Sequence, residues 1–268
     1  MTALGLLAVT RPPEPFEAPG TEILNPPCLT EFDLLGISFC INRVILYMLL
    51  ATLIVITLFV AAAANPRLVP RGVQNFVESI VEFVREQIAI QVIGREGVPW
   101  VPFLTAIFTF ILVGNIFEVI PFIQFPVNSR MAIPAFLAGL VWILFIATGI
   151  RAQGFGYFKN VLFPPGVPKP VYVLLTPIEF VSTFLVRPLT LSVRLLANMV
   201  AGHMILTVFF LGTVYLMLSL PLGPIAGVPA FALSVALVAF EILVSVLQAY
   251  IFTILTAVYI AGAIHPEH

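Results

Sequence analysis

Two apolar stretches, residues 171–220 and 225–264, set the terms for this chain. As helices they would run about 60 to 75 Å, roughly twice what a perpendicular bilayer crossing needs. Either each is one strongly tilted helix, or each hides a turn. Pro177 and Pro188 could start or kink a helix in the first stretch. Pro221-Leu222-Gly223-Pro224 separates the two. A tilted pair forming a hairpin is the preferred reading. The competing reading makes 187–194 a loop between two ordinary spans.

The rest of the chain agrees. Of 268 residues, 60% are hydrophobic and 9% charged, against about 25% charged in an average soluble chain. This predicts an all-α polytopic membrane protein, one membrane domain over 1–268. A net charge of −1 argues against a nucleic-acid partner. Residues 1–42, rich in Pro and Glu, read as a mostly irregular extracytoplasmic lead-in. Met1 to Thr10 lack a positive n-region and a clear cleavage site, so no signal peptide is expected. Cys28 and Cys40 could pair outside the cytoplasm, though two isolated cysteines more often stay free.

Residues 44–64 are long enough to span. In 72–96, Val73, Phe76, Val77, Ile80, Val84 and Ile88 keep helical spacing, with Glu78, Glu82, Arg85 and Glu86 opposite. That is an amphipathic helix, lying at the membrane surface or packed on a neighbour. Residues 100–122 and 131–150 are the second and third spans, a helical hairpin over 98–150. A short polar turn, 123–130, joins them. With the long pair, the total is five spans. Arg67, Arg71, Arg85, Arg95, Arg151, Lys159 and Lys169 then share one side, and only Arg11, Arg43 and Arg130 the other. The positive-inside rule puts the amino terminus outside and the carboxyl terminus, with His265, Glu267 and His268, in the cytoplasm.

Within the first long stretch sits Arg194. Its guanidinium stays protonated, at a cost of roughly 2.5 to 3.5 kcal/mol at a bilayer centre on insertion scales. At about 100° per residue, Arg194, Ala197, Asn198, Ala201 and Gly202 share a face, with Arg187 and Thr190 one to two turns earlier. His203 points to roughly the opposite side. The small residues suit a close helix neighbour, and the cation an acidic one. A snorkelling anchor is the bland reading, but apolar sequence flanks Arg194 for about 20 residues on both sides.

The last stretch has its own stripe: Glu241, Ser245, Gln248 and Tyr259 fall on one face. Interhelical hydrogen bonding accounts for Ser245 and Tyr259. It does not account for an ionisable Glu241 beside a membrane Arg and His. Glu118, one turn after Asn115 near the end of the second span, could take part or simply face water. No P-loop, Cys-rich metal motif or haem-ligating His spacing is present, so neither cofactor nor metal is expected.

Thr190 to Met199, with Ser192-Val193-Arg194-Leu195, Asn198 and the following Ala201-Gly202, resembles the signature of subunit a of the rotary F-type ATP synthase. Glu241-Ile242-Leu243, Leu247-Gln248-Ala249-Tyr250-Ile251-Phe252 and Leu255-Thr256-Ala257-Val258-Tyr259 resemble that family's last helix. Asn115-Ile116-Phe117-Glu118 match more loosely. The Pro-rich start and Gln153-Gly154-Phe155 are similar to actinobacterial members.

The resemblance implies a proton-translocating stator subunit in the bacterial plasma membrane, not an enzyme by itself. Its implied partners are an oligomeric c-ring, b-type peripheral stalk subunits and the rest of the synthase. Arg194 would pair with each ring carboxylate as it passes, between two offset half-channels. Asn198 and Gln248 would sit beside Arg194. His203, Glu241, Glu118 and Asn115 would line the outer half-channel, and Glu179 would stand near the cytoplasmic exit, one residue off the family's spacing to Arg194. The chain departs from many members by Leu196-Ala197 after the Arg-Leu, and by a His that precedes the acid. Either His203 or Glu241 could take the incoming proton. A secondary transporter would instead favour matching halves around a midplane site, and none are detected. A structural subunit of a respiratory complex is the other rival.

Overall fold

The computed structural model describes residues 20, 27–28, 30–34, 37–64, 66–120, 123–163, 168–219 and 223–264. Residues 11–19 and 21–26 of the Pro-rich lead-in, and the expected cytoplasmic His265, Glu267 and His268, lie outside them.

The lead-in ends in structure rather than irregular chain. Strands β1 (Thr30–Leu34) and β2 (Ile37–Ile41) pair antiparallel, with Glu31 opposite Cys40. Cys28 and Cys40 form a disulfide, with Cα atoms 5.5 Å apart. Strand pairing sets this contact, which spacing on a line does not reveal. Helix α1 (Arg43–Ala64) follows, started by the Asn42 side chain accepting the backbone N–H of Ile45 at 3.1 Å.

The amphipathic helix α2 runs through Val73–Val84, a π-helical stretch Arg85–Ile90 and Gln91–Ile93. Gly94, at φ 86°, breaks it from α3 (Arg95–Ile116), whose first turns are 3-10. After the short 3-10 turn Val127–Ser129 comes α4 (Ala132–Gln153) and then the short α5 (Gly156–Leu162). The bend between them uses Gly154 at φ 63°, whose N–H donates to the Ile150 carbonyl at 2.7 Å.

The long stretches contain no hidden turn. Helix α6 is continuous through Tyr172–Val181, a π-helical stretch Ser182–Val186 and Arg187–Ser219. Helix α7 is Gly223–Ile264. Arg194 therefore lies well inside a helix and not on a loop. Among the described residues, five helices are long and apolar enough to cross a membrane. In lipid, the backbone's own hydrogen bonding makes helix the default for such runs.

Helices α6 and α7 are antiparallel. Met217 meets Gly227, Thr213 meets Ser234, Gly202 meets Glu241, Asn198 meets Gln248 and Arg187 meets Tyr259. Helix α7 also packs against both α3 and α4. It stands between the arms expected to pair as a hairpin over 98–150. The main core joins Val84 and Ile88 of α2, Leu104 and Ile111 of α3, Val141 and Phe145 of α4, and Phe252 and Ile260 of α7. α7 is thus the post around which the bundle is built.

Candidate functional site

At the carboxyl end of α3 the helix gives way to a turn, and three elements bring acids and an imidazole together. Asn115 is wholly buried in the last turn of α3, and the Glu118 N–H donates to its carbonyl at 3.1 Å. Glu118 is 3% exposed, and neither carboxylate oxygen has a hydrogen-bond partner among the described residues. Its Oε1 lies 3.6 Å from His203 Nδ1 on α6. Glu241 comes from α7 and lies against Gly202, where an added methyl group would overlap the carboxylate. Gly202 is next to His203, so Glu241 and Glu118 approach neighbouring residues of α6. Two carboxyls in so dry a place are costly unless they share protons or find polar partners. The Phe125 ring, 6.4 Å from the His203 ring, covers one side.

One to two turns deeper along α6 and α7, the Asn198 amide donates to the Gln248 carbonyl oxygen. Gln248 is buried, and so is Ser245 one turn away. Arg194, on the far side of α6 from His203, is exposed and forms no ion pair with a described residue. On the same side of α6, Ala197 and Ala201 are exposed as well, so the residues flanking the guanidinium on its own helix are small. The predicted face is thus divided. Arg194, Ala197 and Ala201 look outward, Asn198 bridges, and Gly202 turns in toward Glu241.

A cavity of about 500 Å³ opens at the other end of the pair. Tyr157, Glu179, Thr183, Arg187 and Tyr259 line it, together with Gln153. The Arg187 guanidinium rests over the Tyr259 ring, 5.4 Å from its centroid. Gln153 Nε2 donates to the Ala263 carbonyl at 2.9 Å, and Asn160 Nδ2 donates to Gln153 Oε1 at 3.0 Å. Burial pushes the Tyr157 phenol up, while the neighbouring Arg187 guanidinium pulls it back. Tyr259 is on the same stripe as Glu241 but 18 residues along, about 27 Å away along the axis. It belongs to this cavity. The π-helical stretch Ser182–Val186 lies between Glu179 and Arg194, and a π turn takes up one extra residue.

The structure therefore divides the predicted residues into an acid–imidazole cluster at one end of the pair (Asn115, Glu118, His203, Glu241), a middle level (Arg194, Asn198, Ser245, Gln248) and a cavity at the other end (Glu179, Tyr259). Sequence reasoning missed Asn128, which is wholly buried and donates through Nδ2 to Asn115 Oδ1 at 2.7 Å. The only signal for it was polarity in a connector between two spans. It also placed Arg187 merely on the Arg194 side, without its seat on Tyr259.

A family model described as ATP synthase A chain matches residues 45–261. A curated relative from Parafrankia sp. (strain EAN1pec), ATP synthase subunit a, is 48% identical over 253 residues, covering 93% of this chain and 84% of the relative. The subunit a of Frankia alni is 43% identical, with 95% of this chain and 89% of the relative covered. That of Rhodococcus erythropolis is 42% identical, with 98% and 95% covered. Because the match takes in α1 through the final turns of α7, the arginine, both long helices and all three polar levels lie inside it, and the chain belongs to the ATP synthase subunit a family.

Proposed function

We propose that this chain is the proton-translocating stator subunit of a bacterial F-type ATP synthase, and that Arg194 faces its c-ring. One observation carries the reading: a permanently charged guanidinium is presented outward from an apolar helix, with no counter-charge among the described residues. In lipid that position is costly. Beside a moving series of carboxylates it becomes an ion pair with each in turn.

Arg194 separates the two polar levels. The outer cluster lies about nine residues, roughly 13 Å, to one side, and Arg187 with its cavity about 10 Å to the other. A proton from outside passes the acid–imidazole cluster, neutralises a ring carboxylate and lets that site turn into the lipid. On its return the site is deprotonated toward the cavity at Glu179. Arg194 cannot release its own proton and favours the ionised ring site, so the two paths do not short-circuit. The driving term is about 2.3 kcal/mol per charge per 100 mV.

On this reading the whole chain is one membrane domain, with the amino terminus outside and the carboxyl terminus cytoplasmic. The tilted pair faces the ring, and b-type stalk subunits hold the opposite flank. ATP chemistry belongs to other subunits. Arg194→Ala tests the reading: the complex assembles, but gradient-driven synthesis in membrane vesicles falls by a factor on the order of 10² or more. Wild-type synthesis rates in that variant would overturn it.

A further inference from the structure

We propose that Asn128, from the short turn ahead of α4, is a positioning residue of the outer proton path. With Asn115 it would form a paired-amide gate that hands water-borne protons to Glu118. The inference rests on the function proposed above and adds to it residues outside the two long helices.

The turn is built into the bundle. Phe125, Val127, Asn128 and Ser129 are all buried, and the turn packs against α6. The Asn128 amide lies close against Gly114: a Cβ there would stand 3.3 Å from Asn128 Nδ2, and the amide would have to give by a small shift. Its one bond, to Asn115 Oδ1, fixes how both amides face. Each amide keeps an unused group, since Asn115 Nδ2 and Asn128 Oδ1 are buried with no partner among the described residues. Ser129 Oγ and both oxygens of Glu118 are in the same condition.

Such groups are costly if left dry, so a cluster of them is a place for ordered water. An amide does not titrate near neutral pH, so the pair cannot store a proton. What it can do is offer water one donor and one acceptor in fixed directions. Glu118, one helical turn from Asn115, is the first titratable group beyond it. Asn128 acts through Asn115 and water, not on the ring.

The test measures ATP synthesis in vesicles carrying the whole complex, as a function of proton concentration on the outer side. In Asn128→Ala the half-saturating proton concentration should rise about tenfold, with the saturated rate within about twofold of wild type. A merely structural loss would lower the rate at all proton concentrations alike. Gly114→Ala should shift half-saturation the same way by a smaller factor, and the double variant should add little to Asn128→Ala. If the alanine variant does not accumulate in membranes, Asn128→Ser is judged by the same criterion. Unchanged half-saturation in the assembled variants, with Arg194→Ala inactive in parallel, would overturn the gate alone. Full activity in Arg194→Ala would overturn the function on which it rests.

Discussion

The two ends of the α6–α7 pair solve opposite problems. The acid–imidazole end is closed: Glu118 and Glu241 are 3% and 5% exposed, and Gly202 makes room for the Glu241 carboxylate. The inner end is open: Glu179 lies in a cavity of about 500 Å³, and Arg187 and Gln153 are tied to Tyr259 and Ala263. Closed, acid-rich and short of partners suits groups that pass a proton among themselves. Open and well paired suits water access with one acid at its edge. On the proposed function the path is thus uneven, a relay on one side and a vestibule on the other.

The largest break in that contrast should come at the relay. Glu241→Gln removes one of its two carboxyls, and vesicle synthesis should fall by roughly 10- to 100-fold. ATP hydrolysis by the detached head should be unaffected. A fall of less than twofold would make the outer cluster scaffolding. His203→Ala is expected to do less, about tenfold, because Glu118 and Glu241 both remain.

Gly202→Val probes the tightness of the relay without touching a titratable group. It drives a side chain into the Glu241 carboxylate and should cost about 1 to 3 kcal/mol of packing. Thermal dissociation of the detergent-solubilised complex should move several degrees lower. An unchanged profile would mean that the two helices do not meet there. Glu179→Gln should give the smallest effect, about twofold, since an acid at a wet site is readily replaced by water. If instead it matched Glu241→Gln, both ends would be relays and the contrast would disappear.

Much was legible before any coordinates. Residues 44–64 announced α1 by length and apolarity alone. The apolar spacing of Val73, Val77, Val84 and Ile88 placed α2. Arg194 stood out because a fixed charge in an apolar run is conspicuous wherever it occurs. Glu241, Ser245 and Gln248 were seen on one face because helix phase is a local property, and all three are buried together. These readings held because each depends on a few successive residues and on the solvent, and lipid admits little but helix.

What the chain order could not reveal was which faces meet. The disulfide depends on a strand pairing, the Asn115–Asn128 bond spans 13 residues, and the Gln153–Ala263 bond spans 110. The place of α7 between α3 and α4 is fixed by fit across three helices. Length, apolar phase and lone charges alone determined that there would be five helices long enough to span, among the described residues, and one exceptional arginine. Only the tertiary structure decided that α7 is the central post, that Tyr259 leaves the acid cluster for Arg187, and that a connector supplies a buried amide. The physical reason is that helices form from local hydrogen bonds, whereas their docking is chosen by side-chain packing between distant parts of the chain.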